Sequence, residues 1–279
     1  MSISIQTNVT SLFAQENLAT NTAFQSQTIQ RLTSGFRINS SGDDAAGLAV
    51  ANGFRSSIAE LNQGVRNAND GVSILQIVDG GLNNISHILD RLKTLATESA
   101  TDTFSGDRAT LNNEFTTLLT EIDRQAANIG LSGAGGTASR YNVAIAVYIG
   151  GGDSQADAQV SVDLSGAGNK VDSTGLALNG KTVDTKANAL LALTAIGAAV
   201  TALGQVQGKV GTGENLLGYA TSLANSQITN FSAAESHIRD ADVAAEAANL
   251  TKAQTLQQSS IAALAQANAA PAAVLKLLQ

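Results

Sequence analysis

The chain has no cysteine and no tryptophan, and it has one proline, Pro271, in 279 residues. Without cysteine it forms neither disulfides nor a thiolate metal site. With a single proline near its end, long helices can run uninterrupted. Charge is scarce too: Asp, Glu, Lys and Arg make up 14% of the residues, against roughly 25% in an average soluble domain. A surface so poor in charge is one that other subunits cover. The net charge of −7 argues against nucleic acid, which selects for basic patches. Aromatic residues are 4% of the chain, so no clear stacking platform for sugars is visible.

The shortage of charge is greatest at the two ends. Between Met1 and Gly42 the charged residues are Glu16, Arg31 and Arg37; between Val243 and Gln279 they are Glu246, Lys252 and Lys276. The residues between them are Ala, Leu, Ile, Val, Gln, Asn, Ser and Thr at helical spacing. Such segments need a partner for their apolar stripe, and the natural partner of each end is the other. Met1–Gln6 has no basic region and no long apolar run, so it does not read as a cleavable signal peptide. The uncharged stretch between Lys186 and Lys209 is long enough to cross a bilayer. Its Asn188, Thr194, Thr201, Gln205 and Gln207 make it a bundle helix rather than a membrane span.

The periodicity sets out five helices. The first runs from Asn8 to Ser34, with Val9, Leu12, Glu16, Ala19, Ala23 and Gln30 in a rough three-four rhythm, and Gly35 ends it as a left-handed cap. Ser41 with Asp44 reads as a capping box for the next helix. That helix, Asp44 to Ala100, holds Phe54, Ile58, Leu61, Val65, Ala68, Val72, Leu75, Val78, Leu82, Ile85, Leu89, Leu92 and Ala96 on a coiled-coil seam with one stammer at Val78. After a turn over Thr101–Arg108, Leu111, Phe115, Leu118, Ile122 and Ile129 mark a third helix, stopped by Gly130. Alternation at Val143, Ile145, Val147 and Ile149, and at Val160, Val162 and Leu164, reads as strands in a β region from Tyr141 to Val183. The fourth helix, Thr185 to His237, is seamed by Leu193, Ile196, Val200, Leu203, Val210, Leu217, Ile228, Phe231 and Ile238. The fifth runs from Val243 to Leu278. The expected fold is mainly α: an elongated antiparallel helical rod or coiled coil, built from N- and C-terminal segments, with a small central β-hairpin region.

No catalytic set stands out, and no enzyme is read. His87 and His237 are the only histidines, and His87 has no second ligand one helical turn away. Gly208–Lys209 lacks the spacing and the hydroxyl of a phosphate loop, and the glycines from Gly130 to Gly136 follow no strand. Asp153 and Asp157, beside Gly150–Gly152, are the one loose calcium candidate, without an EF-hand pattern. No cofactor or metal is expected.

The motifs at both ends point further. Ile5-Gln6-Thr7-Asn8-Val9-Thr10-Ser11-Leu12 opens the chain. Arg31-Leu32-Thr33-Ser34-Gly35-Phe36-Arg37-Ile38-Asn39 follows, then Ser41-Gly42-Asp43-Asp44-Ala45-Ala46-Gly47-Leu48-Ala49 and Gln63-Gly64-Val65-Arg66-Asn67-Ala68-Asn69-Asp70-Gly71. Ser236-His237-Ile238-Arg239-Asp240-Ala241-Asp242 and Leu264-Ala265-Gln266-Ala267-Asn268 stand near the other end. Over residues 1–130 and 187–279 the chain resembles bacterial flagellin.

The resemblance implies a subunit that polymerises into the extracellular flagellar filament for motility, a short form without the large outer domains. It implies 1–42 as an N-terminal inner-tube helix and linker, 43–140 as the N-terminal rod helices, and 141–186 as the rod's β-hairpin region. It makes 187–239 the C-terminal rod helix and 240–279 the C-terminal inner-tube helix. Leu12, Leu250, Leu256, Leu264 and Leu275 are then inner-tube assembly residues. The implied partners are further copies of the chain, a flagellar export chaperone, and the hook-associated and cap proteins. Export is implied through the flagellum-specific type III channel, with the chaperone holding the C-terminal segment.

In this family an Arg, a Leu and a Glu are recognised by the flagellin-sensing Toll-like receptor, and the same surface makes protofilament contacts. The segment Leu89-Asp90-Arg91-Leu92-Lys93-Thr94-Leu95-Ala96 carries the resemblance for Arg91 and Leu95; Glu114 fits the third position. The three are expected on one exposed face. Two readings on the same fold stay open, a hook–filament junction protein and a cell-surface binding protein, for instance for polysaccharide.

Overall fold

The computed structural model describes residues 7–133, 139–151 and 158–277, with 167 and 271–277 as backbone only. Asp153, Asp157, most of the Gly133–Gly136 run and the side chain of Leu275 lie outside the described residues. Among those described are α1 (Val9–Ser34), α2 (Ala45–Ala100), α3 (Arg108–Asn128), β1 (Ala144–Tyr148), β2 (Gln159–Asp163), α4 (Lys186–Arg239) and α5 (Val243–Leu277). The chain divides into two compact units. Unit 1 is Met1–Ser56 with Asn230–Gln279, and unit 2 is Ser57–Thr229, so α2 and α4 contribute residues to both.

Local chemistry sets the helix ends. Asn8 caps α1, its side chain accepting from the Ser11 N–H at 3.1 Å. Gly35, at φ 77°, closes the helix, and its N–H donates to the Arg31 carbonyl. The start of α2 differs from the Ser41–Asp44 box. Asp44 is itself the cap, accepting from the Gly47 N–H at 2.9 Å, because the chain first turns around Asp43. The Asp43 carboxylate accepts from the backbone N–H groups of Ser40 and Asn39 and from the Gln27 amide. In that order of strength these contacts hold its pKa at about 2.

Unit 2 carries the main core. Along α2 the buried residues include Leu61, Ala68, Leu75, Val78, Leu82, Ile85, Leu89, Leu92 and Ala96, the seam expected from the sequence. α3 contributes Phe115, Leu119, Ile122 and Ala126, so Leu119 is buried where Leu118 was expected. On α4 the seam shifts further. Ala189, Ala192, Ile196, Ala199, Leu203, Val206, Val210 and Leu217 are buried, while Leu193 is half-buried and Val200 is exposed. Alanines in the seam let neighbouring helices approach closely, and the bulkier side chains move to the flanks. By length and composition α4 has a window apolar enough to cross a membrane, with mean hydropathy 1.8 and 33% of the window buried.

The β region is smaller than expected. β1 and β2 form one antiparallel hairpin, with Ala144 opposite Asp163 and Tyr148 opposite Gln159. Val147, Ile149, Val162 and Leu164 turn inward. The chain from 165 to 183 is held by backbone turns and by side chains rather than by a sheet ladder. Asp172 accepts from the N–H groups of Gly133 and Gly175 at 2.8 and 2.7 Å, and Asp123 accepts from the Ser173 N–H at 2.6 Å.

The hairpin lies directly on α2. A Cβ on Gly64 would overlap the Ile149 carbonyl oxygen. Gly64→Ala should therefore destabilise unit 2 by about 1–3 kcal/mol. Gly197 has nothing near its missing side chain, and Gly197→Ala should stabilise the helix by up to about 1 kcal/mol. Urea midpoints of the two variants, shifted in opposite directions, check this; an unshifted Gly64→Ala midpoint would contradict the close approach.

Candidate functional site

In unit 1, α1 and α5 pair antiparallel, and polar groups hold the seam. The Asn8 amide donates to the Ala267 carbonyl, the Ser11 hydroxyl to Asn268 Oδ1, and the Asn21 amide to the Ser260 hydroxyl, each at 2.8 Å. Arg31 pairs with Glu246 at 3.4 Å, its partner's side chain only 10% exposed. Among the described residues of this pair, Ser11, Thr28, Glu246 and Ala253 are buried.

Several large apolar side chains point the other way. Val9, Leu12 and Phe13 on α1 are 51%, 56% and 61% exposed, and Val243 and Ile261 on α5 are 58% and 53% exposed. Leu256 is exposed, and Leu250 and Leu264 are half-buried. The seam is mixed: half-buried Leu18, Phe24 and Leu32 on α1 share it with the polar groups, and part of the apolar surface is left facing water. The sequence periodicity had placed Leu12 in a seam with the opposite terminus; the polar contacts at Ser11 and Asn21 occupy that seam, so Leu12 faces out.

The ends of the pair are tied at the linkers. Phe36 and Asp240 form an antiparallel bridge. The Arg37 N–H donates to the Arg239 carbonyl at 2.6 Å, and the Ala241 N–H to the Gly35 carbonyl at 2.9 Å. The Arg239 guanidinium lies 4.0 Å from the centre of the Phe36 ring, and Phe54 stacks on Phe231 at 5.5 Å. These contacts match the charged and aromatic residues that frame the terminal motifs.

In unit 2, Arg91 and Glu114 meet across α2 and α3. Arg91 Nε donates to Glu114 Oε1 at 2.7 Å, and both side chains are open to water. Leu95 does not share that face, being 1% exposed. At this end of α2 the buried stripe widens to include Leu92, Leu95, Ala96 and Ser99. The Ser99 hydroxyl donates to the Val183 carbonyl, so the 183 segment covers a second side of the helix. Among the described residues no three His, Asp or Glu side chains converge as a metal site.

A helix pair that leaves Val9, Leu12, Phe13, Val243 and Ile261 open to water belongs to the class of proteins that bind through their helices to other molecules. Comparison with known proteins gives the family. Residues 5–134 match the family model of the bacterial flagellin N-terminal helical region, and residues 193–278 match that of the C-terminal helical region. A flagellin of Halalkalibacterium halodurans is 33% identical over 99% of both chains. The flagellar filament 33 kDa core protein of Treponema phagedenis is 32% identical, again over 99% of each. A flagellin of Escherichia coli O127:H6 is 39% identical over 65% of this chain but only 32% of its own length. A crystal structure of Bacillus cereus flagellin is similar at 24% identity and a TM-score of 0.48, covering 61% of this chain and 94% of that one.

The chain belongs to the bacterial flagellin family. It is a structural subunit of the flagellar filament outside the cell, self-polymerising and without a large outer domain.

Proposed function

We propose that α1 and α5 are the surface through which successive copies join, and that the resulting filament serves motility. The observation that carries this reading is the apolar surface the pair leaves facing outward: Val9, Leu12, Phe13, Val243 and Ile261 are all more than half exposed. Burying such side chains is worth about 1.5–3 kcal/mol each, and neighbouring copies of the chain would bury them. The family resemblance supports the rest of the route: export through the flagellar type III channel, an export chaperone on the C-terminal segment, and cap and hook-associated proteins at the filament ends. Electron microscopy of purified full-length protein after a salt step tests the assembly reading. Filaments are expected, and protein that stays monomeric at every salt and protein concentration would overturn it.

Recognition of the monomer by the flagellin-sensing Toll-like receptor is the second part of the reading. Arg91 and Glu114 are the exposed members of the resembling set, joined as one polar patch. Leu95, buried beneath, supports α2 rather than touching a partner. The expected result is that Arg91→Ala with Glu114→Ala lowers receptor activation by monomer at least about tenfold, the factor equal to 1.4 kcal/mol. Leu95 is left intact, because truncating a buried leucine costs about 2–5 kcal/mol of stability and would confuse the readout. A reporter-cell assay, with folding checked by circular dichroism, makes the measurement. Unchanged signalling from the folded variant would confine the patch to filament contacts.

A further inference from the structure

The dipeptide Asn-Gly occurs twice, at Asn52–Gly53 and at Asn179–Gly180, and the fold places the two in opposite settings. Asn52–Gly53 lies inside α2, where the backbone is fixed in the helical ladder. Asn179–Gly180 forms the tip of a turn closed by the Lys181 N–H donating to the Leu178 carbonyl at 3.1 Å. The N–H groups of Leu178 and Asn179 both donate to the Ser173 carbonyl, at 2.8 and 3.0 Å. On either side the turn is anchored: Leu178 and Val183 are fully buried, and the Val183 N–H donates to Asn112 Oδ1.

The tip itself is open. Asn179 and Gly180 are exposed. Gly180 has a φ of 72°, and no neighbouring atom lies within 4 Å of where a Cβ would stand. Among the described residues neither the Asn179 carboxamide nor the Gly180 N–H has a hydrogen-bond partner.

The geometry points to Asn179 as a site of spontaneous covalent modification, deamidation through a cyclic imide. The Gly180 backbone nitrogen attacks Asn179 Cγ and loses its proton to water as the new N–Cγ bond forms. The bond from Cγ to Nδ2 breaks, and ammonia leaves with that pair of electrons and a proton from water. Water then adds to one of the two imide carbonyls. Opening on one side gives Asp, and on the other isoaspartate. The only co-reactant is solvent water, and nothing is oxidised or reduced.

Three features of the tip favour the reaction. Gly180 has no side chain to shield its nitrogen or to narrow its backbone freedom. That nitrogen gives up no hydrogen bond when it attacks. The carboxamide is already in solvent. At Asn52 the same ring requires Gly53 to leave the helix, so the reaction waits for local opening. Each event at Asn179 places a new negative charge two residues from Lys181, and isoaspartate adds one main-chain carbon to a turn whose two anchors do not move.

The test is peptide mass spectrometry of the full chain after mildly alkaline incubation in heavy-oxygen water. The Asn179 peptide should convert to Asp and isoaspartate with incorporated label, at least about tenfold faster than the Asn52 peptide while the protein is folded. In denaturant the two rates should converge. Gly180→Ala should slow conversion at residue 179 and leave Asn52 unchanged. Equal rates at the two sites in folded protein, conversion at Asn52 alone, or an Asn179 that stays intact would each overturn the proposal.

Discussion

Leu12→Glu combined with Leu256→Glu should abolish filaments and leave the monomer folded. Leu12 is 56% exposed and Leu256 38% exposed in the single chain, so neither substitution disturbs a packed seam. The polar links from Asn8 to Ala267 and from Asn21 to Ser260 do not involve them. On the proposed assembly reading, neighbouring copies bury the same positions in a filament. A carboxylate desolvated without a partner costs several kcal/mol, and the defect recurs in every subunit. A penalty of about 2.8 kcal/mol per subunit already raises the critical concentration about a hundredfold. Sedimentation and electron microscopy measure that concentration, and circular dichroism with urea titration of unit 2 reports the fold. Leu12→Gln with Leu256→Gln serves as the neutral control. Filaments of normal abundance from the charged double variant would remove α1 and α5 from the assembly surface.

The sequence carried the long elements well, because each has a simple physical cause. The α2 seam is legible since Leu61, Leu75, Leu82, Ile85 and Leu89 repeat at coiled-coil spacing and no proline interrupts them. The end of α1 is legible since Gly35 is the residue that takes a positive φ at low cost. What periodicity does not say is which partner an apolar stripe meets. Leu12 and Phe13 fall at helical spacing whether they face α5 or another copy, and only the polar contacts of Ser11 and Asn21 decide it. The α4 seam hid for a related reason: Ala189, Ala192 and Ala199 weigh little in any hydropathy pattern, yet they are the residues that fit where helices come close. The expectation of an open face for Leu95 fails because the buried stripe widens at this end of α2, where the distant 183 segment bonds to Ser99. Asp123 and Asp172 carry no signal in the sequence, because their backbone partners, Ser173, Gly133 and Gly175, depend on tertiary placement that no local pattern records.

The same seam predicts how the terminal helices behave before assembly. Among their described residues α1 and α5 fully bury only Ser11, Thr28, Glu246 and Ala253, which is little apolar surface for two long helices. Helices without tertiary packing are marginal in water, and segments that open locally lose their amide protection first. Unit 2, by contrast, buries Leu75, Leu82, Ile85, Leu89, Phe115 and Ile196 completely. Hydrogen exchange of the monomer should therefore find the amides of α1 and of α5 exchanging at least about a hundredfold faster than those of residues 61–96. In the filament the exposed Val9, Leu12, Phe13 and Ile261 gain partners, and protection of both terminal helices should rise by at least the same factor. The ordering entropy, about 1–2 kcal/mol per residue, is then met by contacts between subunits, which ties the folding of the ends to polymerisation. Monomer in which α1 is protected as strongly as the central part of α2 would show that the pair is stable alone, and the coupling would fail.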